Sequence, residues 1–227
     1  GLSVVVLEKE SFPRFHLGES LLPQSLVVLD QIGALPSVEA SFIRKYGARF
    51  HDDVRGRKDR FSFDGAWRPE RDHAFEVPRD VFDKLLLDHA ASCGAIVRHG
   101  WMAKRILEDG DGRARGVEVV SSDGVPVTLE ARFVVDASGR DALTAHASRS
   151  SSKIEGLDQT ALYAHFEGVP RPTGKLAGDI DIILFSSGEE PRPNWFWFIP
   201  FKDGRTSVGA VVSRAWLRAR RARLGAE

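Results

Sequence analysis

The sequence predicts an α/β fold in which a partial dinucleotide-type βαβ unit with a β-meander is joined to an antiparallel sheet. Three observations carry this. Gly1-Leu2-Ser3-Val4-Val5-Val6-Leu7-Glu8 is a β-branched apolar run closing on a carboxylate. Residues 79–92 show the i, i+3, i+4 apolar spacing of an amphipathic helix. Near the C-terminal end, Trp195-Phe196-Trp197-Phe198-Ile199-Pro200 alternates Trp195, Trp197 and Ile199 against Phe196 and Phe198, so both faces of that strand need cover.

The elements follow in order. After the first strand, a loop through Gly18 leads to a helix over about Ser20 to Gly33, with Ser20 as its cap and Gly33 as its stop. Pro78 precedes the second helix, whose first turn carries Asp80 and Asp83. On that helix Phe82, Leu85, Leu86, His89 and Cys93 form a stripe expected to pack into a core. Ala95-Ile96-Val97-Arg98 reads as the next strand. Segments near 101–108, 115–121 and 125–131, separated by Asp109-Gly110-Asp111-Gly112 and Asp123-Gly124, read as a meander with tight turns. Phe133-Val134-Val135 is expected to return to the main sheet. Ser148 to Ser152 is the candidate linker. Beyond it, segments near 159–167, 179–186, 194–200 and 206–213 read as strands of one antiparallel sheet, to which 45–76 adds more. The expected division is therefore interleaved: 1–40 and 77–147 as a partial dinucleotide-type βαβ domain, 41–76 and 153–227 as a second domain built on the antiparallel sheet.

Composition narrows the function. Lys+Arg and Asp+Glu number 32 each, which removes a general electrostatic argument for nucleic acid. The basic run Arg218 to Arg223 reads as a solvated helix face. No uncharged apolar stretch is long enough to span a bilayer, and no secretory signal is visible. One cysteine, Cys93, excludes an intramolecular disulfide and a Cys-cluster metal site and fits a reducing cytoplasm. His89 and Cys93 alone make poor metal coordination, so no metal is expected.

Several residues then invite chemistry, each with a plainer alternative. Glu8, at a strand end, can accept hydrogen bonds from adenosine ribose hydroxyls, or be an ordinary surface acid. Asp136 sits where an α/β sheet presents ligands, or caps the segment at Asp141. Arg79 suits a diphosphate, or is an exposed arginine. Lys45, from its local sequence alone, reads as a surface lysine at a strand start.

Glu8, Phe12-Pro13-Arg14, Gly18-Glu19-Ser20-Leu21-Leu22-Pro23, Lys45 within Phe42 to Phe50, Val134-Val135-Asp136-Ala137-Ser138-Gly139-Arg140 and the Trp-x-Trp-x-Ile-Pro run occur in one order over nearly the whole chain. Together they resemble the flavin-dependent halogenases, halogenase-like FAD oxidoreductases with a hydroxybenzoate hydroxylase-type fold. The resemblance implies a cytoplasmic flavoprotein, an N- and C-terminally truncated fragment whose isolated 227 residues hold FAD weakly or not at all. It implies that reduced FADH2, supplied by a flavin reductase or NAD(P)H, reacts with O2 to a flavin hydroperoxide, which halide converts to hypohalous acid. By the same resemblance Lys45 would relay this oxidant to an aromatic, phenol- or pyrrole-like substrate, free or tethered to a carrier protein. Glu19 and Ser20 belong to the strap crossing the flavin, and Arg79 contacts its phosphates. The resemblance further implies that Trp195, Trp197, Ile199 and Pro200 wall the flavin from the substrate. A monooxygenase or reductase of the same fold, or an inactive remnant, is the alternative.

Overall fold

The computed structural model describes residues 1–65, 71–147, 150, 152, 154–155, 157–185 and 193–225. In chain order the elements are β1 (Val5–Glu8), α1 (Pro23–Gln31), α2 (Leu35–Ser41), β2 (Ile43–Lys45), β3 (Gly47–Asp52), β4 (Arg57–Ser62), β5 (Ala74–Glu76), α3 (Arg79–Ser92), β6 (Ile96–His99) and β7 (Met102–Glu108). They continue with β8 (Ala114–Val120), β9 (Pro126–Glu130), α4 (Leu143–Ala147), β10 (Gln159–Phe166), β11 (Ile180–Phe185), β12 (Asn194–Pro200), β13 (Thr206–Ser213) and α5 (Arg214–Leu224). Two compact units interleave along the chain, Gly1–Phe15 with Asp83–Ile154, and His16–Phe82 with Glu155–Glu227.

In the first unit β1 pairs parallel with β6, from Val5↔Ile96 to Glu8↔His99, as a crossover through α3 requires. The meander is β7-β8-β9, antiparallel throughout. Two expectations fail here. Phe133-Val134-Val135 forms no strand, and Phe133 and Val135 are 87% and 88% exposed, because no ladder partner lies beside them among the described residues. The stripe expected on α3 is not core either: Phe82, Leu85, Leu86 and His89 are only half-buried, and Cys93 is exposed past the last residue of the helix, where its amide closes the final turn on the His89 carbonyl at 3.0 Å.

In the second unit a six-stranded sheet runs β10-β13-β12-β11-β3-β4. It is mixed rather than antiparallel, because β11 pairs parallel with β3. On one face Ile180, Trp197, Ile199 and Phe201 form a buried cluster against which Leu17, Ala48 and Trp195 pack. Burying each such side chain contributes roughly 1.5–3 kcal/mol. A small sheet, β2-β5, lies beside Ser20, which makes an isolated bridge to Glu76.

Ser20 does not cap α1. That helix starts at Pro23 with Leu22 before it and no side-chain cap, since proline's missing N–H and fixed φ suit the first turn. Its end matches expectation, with Gly33 at φ 78°. The linker expected at Ser148 to Ser152 falls largely outside the described residues. Among the described residues no helix is long and apolar enough to cross a membrane.

Candidate functional site

The chemistry-bearing residues of the second unit gather around Lys45, the last residue of β2. It is only 2% exposed. Antiparallel pairing sets Lys45 opposite Ala74 and Ile43 opposite Glu76, two rungs of one short ladder. Lys45 Nζ donates to Ser20 Oγ at 2.5 Å, Ser20 Oγ donates to Glu76 Oε1 at 3.1 Å, and Nζ lies 3.7 Å from that same oxygen. The Phe63 ring centroid is 5.5 Å from Nζ, an apolar wall with a weak attraction for the cation.

Glu76 is fully buried, and its Oε2 has no hydrogen-bond partner among the described residues. Burial pushes its carboxyl up to about 8, against the opposing pull of the Lys45 ammonium and the Ser20 hydrogen bond; the nearby Asp179 and Glu19 carboxylates push it further up. Those two neighbours are themselves held: Arg60 Nε donates to Asp179 Oδ2 at 2.7 Å, and His165 Nε2 lies 2.8 Å from Glu19 Oε1.

A carboxyl raised from about 4.5 to about 8 binds its proton more tightly in the folded chain than in the unfolded one. Its contribution is complete below pH 4.5 and is lost as pH rises to 8. Unfolding free energy from urea titrations should fall across that window by a few kcal/mol, on the order of 1.4 kcal/mol for each tenfold difference in proton affinity between the two states. Glu76→Gln should flatten the fall; an unchanged slope would contradict the assignment.

The strap from Leu17 to Ser20 joins this cluster to the indoles. Gly18 has φ +98°, a conformation that strains an L side chain, and a Cβ there would also push on Arg79 Nη1, 2.9 Å away. Arg79 Nη1 donates to the carbonyls of Leu17 at 2.6 Å and Gly18 at 3.3 Å, bracing the strap. Leu17 packs on the Trp197 cluster while Ser20 holds Lys45. Beside them, His165 contacts Glu19 and pairs across the ladder with Ser207.

Ser207 Oγ in turn accepts from Trp197 Nε1 at 3.1 Å. Trp197 is 6% exposed and lies flat over Gly209, its cross-strand partner, between Tyr163 at 6.4 Å and Trp195 at 5.8 Å between ring centroids. Ile199 and Pro200 complete the buried end of β12. Ser207→Ala should leave the buried indole N–H unpaired and cost about 1–2 kcal/mol in urea unfolding; no loss would show that the bond is idle.

The remaining sequence candidates lie in the first unit. Glu8 ends the parallel ladder, its Oε2 accepting from Arg14 Nε and Nη2 at 3.3 and 3.2 Å and its Oε1 from the Glu10 amide at 2.9 Å. Asp136 accepts from the Ser138 amide at 2.9 Å and from the Thr144 amide and hydroxyl at 2.8 and 2.6 Å, which hold it well below the usual carboxylate range. It serves there as a local cap. Among the described residues no group of three metal-ligating side chains occurs.

Sequence reasoning missed Glu76, His165, Ser207 and Gly209. Glu76 left a signal: an acid inside the apolar run Ala74-Phe75-Glu76-Val77 needs a buried partner.

Comparison with known proteins gives concordant matches. The tryptophan halogenase family model matches residues 58–225. A tryptophan 2-halogenase of Chondromyces crocatus is 33% identical over 98% of this chain and 41% of its own length. A 1H-pyrrole-2-carbonyl-[peptidyl-carrier protein] chlorinase of Pseudomonas fluorescens is 31% identical over 94% of this chain and 51% of its own. The chain thus spans about half the length of these relatives, or less. Among solved structures, the flavin-dependent halogenase CmlS superposes with TM-score 0.86 at 31% identity, covering 98% of this chain and 39% of that one. The myxobacterial chondrochloren halogenase CndH gives 0.82 at 33%, covering 96% and 48%.

Proposed function

The chain belongs to the tryptophan halogenase family, and on that premise we propose that the full-length protein is a cytoplasmic FAD-dependent enzyme that halogenates an electron-rich aromatic through Lys45. The observation that carries this reading is the burial of Lys45. An ammonium withdrawn from water costs several kcal/mol unless paired, and here one hydroxyl and one carboxyl at ion-pair distance are its polar neighbours. Such an amine is a poor structural strut and a well-placed reagent.

The residues present fit an FAD. Glu8 stands at the carboxyl edge of a parallel ladder, and its Oε1 accepts one amide hydrogen bond, leaving acceptor capacity for ribose hydroxyls. Asp136, in the same unit as Glu8, would add to its contacts. When bound in reduced form, the flavin supplies two of the four electrons that O2 takes up, the halide giving the other two, so that hypohalous acid results.

The chain's own residues do the rest. Lys45 Nζ would hold the hypohalous acid by hydrogen bonding, or as the free amine exchange an N–H for N–halogen with release of water, and the ring would take the halogen and give up a proton. Ser20 fixes the direction of that amine. Trp195 and Trp197 exclude water and keep the aromatic from meeting the flavin directly, which separates halogenation from hydroxylation. The substrate is phenol- or pyrrole-like, and the carrier-bound substrate in the name of the Pseudomonas relative supports a tethered one here. A separate flavin reductase would supply reduced FAD.

The test is direct. The full-length protein, given a flavin reductase, NADH, O2, chloride or bromide and a panel of free and carrier-tethered phenols and pyrroles, should yield a product with the halogen isotope pattern by mass spectrometry. Hydroxylated or hydrogenated products alone would identify a monooxygenase or reductase instead, and no product from any of the panel with full FAD occupancy would favour an inactive remnant.

A further inference from the structure

We propose that Glu76 is a positioning residue for Lys45, leaving the amine free to face a guest when its carboxyl is neutral and drawing the amine into an ion pair when it is ionised. The inference deepens the halogenation reading, and rests on it for what the guest is, but its geometry stands alone. Donors and acceptors run in one direction, from Lys45 Nζ to Ser20 Oγ and from Ser20 Oγ to Glu76 Oε1. Nζ itself is 3.7 Å from Oε1, beyond hydrogen-bond reach and within ion-pair reach. An ammonium has three hydrogens, and Ser20 takes one.

The carboxyl's other oxygen, Oε2, is buried without a partner among the described residues, which suits a site for its proton better than a naked charge. With Glu76 neutral, Nζ is tied only through Ser20, and two of its hydrogens can turn to another molecule. Loss of the Glu76 proton to solvent makes Oε1 and Oε2 acceptors with a full charge, and the ammonium is then held on its protein side. The groups facing Glu76 are Lys45 from β2, Ser20 and Glu19 from the strap, and Asp179 before β11. Asp179 is paired with Arg60, and Glu19 with His165 through Oε1, while Glu19 Oε2 is buried without a partner among the described residues. Burial places the Glu76 transition near pH 8, where an enzyme could use it.

The experiment follows the amine itself, with no flavin, halide or substrate present. In the 227-residue chain labelled with 15N-lysine, the buried Lys45 Nζ resonance, identified by its loss in Lys45→Arg, is titrated between about pH 6 and 10. The expected result is a chemical-shift step between about pH 7 and 9 that is absent in Glu76→Gln. A wild-type resonance without that step, or a step that survives in Glu76→Gln, overturns the proposal. Should Glu76→Gln fail to fold, wild-type chain labelled with 13C-glutamate decides instead. A carboxyl carbon titrating at the midpoint of the Nζ step supports the proposal, and the lack of one overturns it. Because nothing in the titration depends on turnover, failure here leaves halogenation standing, and failure of the halogenation assay leaves the Glu76–Lys45 coupling standing.

Discussion

Lys45→Ala in the full-length protein should abolish halogenated product, by about 10³-fold or more, while flavin-dependent O2 consumption continues. Removing a group on which one chemical step depends costs about that much, whereas removing one that only binds changes KM. The variant removes the amine together with the three methylenes that carry it, and leaves Ser20 and Glu76 in the sequence. Glu76, deprived of the cation that pulls its proton off, stays neutral, so no uncompensated charge is left in the core. Oxidant formed without its relay should escape as hypohalous acid, detectable by trapping with a small thiol or a chromogenic phenol in bulk solution. Lys45→Arg should not restore product, because a guanidinium keeps its charge and cannot act as a free amine. Halogenated product at the wild-type rate in Lys45→Ala would remove Lys45 from the mechanism.

Gly209→Ala should destabilise the chain by roughly 3 kcal/mol or more, the upper range for overpacking a core. An added Cβ would stand 2.1 Å from Trp197 Cζ2 and 2.3 Å from Cη2, far inside contact distance. The ring has nowhere inexpensive to go. Tyr163 and Trp195 flank it, and its N–H is tied to Ser207. A fall in Tm of about 6–12 °C is expected from 2–4 °C per kcal/mol at this chain length. Loss of near-ultraviolet tryptophan dichroism should accompany it. A variant with unchanged Tm and unchanged tryptophan signal would show that Trp197 does not occupy this position.

How far the sequence foretold this arrangement depends on the range of the interaction concerned. Strand alternation at 194–200 and 206–213, and the Asp-Gly turns of the meander, are local signals, and the strands stand where they were expected. Ser20 was misread for the same reason. Serine before a helix usually caps it, and only contact with Glu76, 56 positions away, shows that its hydroxyl is engaged elsewhere. The parallel pairing of β3 with β11 left no trace in either segment, since an alternating run fits a neighbour of either direction. Phe133 to Val135 has strand composition without a strand, because a ladder needs a second chain segment. The family motifs pointed to Lys45 and the indoles, whereas Glu76, His165 and Ser207 belong to the site through three-dimensional contacts that no short motif records.

That parallel pairing also governs when the large sheet can exist. The hairpin β3-β4 is complete by residue 62, yet its other edge waits for β11, so Arg49 meets its ion-pair partner Asp181 only after 132 further positions have been made. At synthesis rates of about 5–20 residues per second, several seconds pass in which the β3 edge has no ladder neighbour. Long-range closure of this kind is slow and open to mispairing. Heterologous production of this protein should therefore gain from slower translation or lower temperature, which lengthen the interval in which chaperones can occupy the nascent β3 edge.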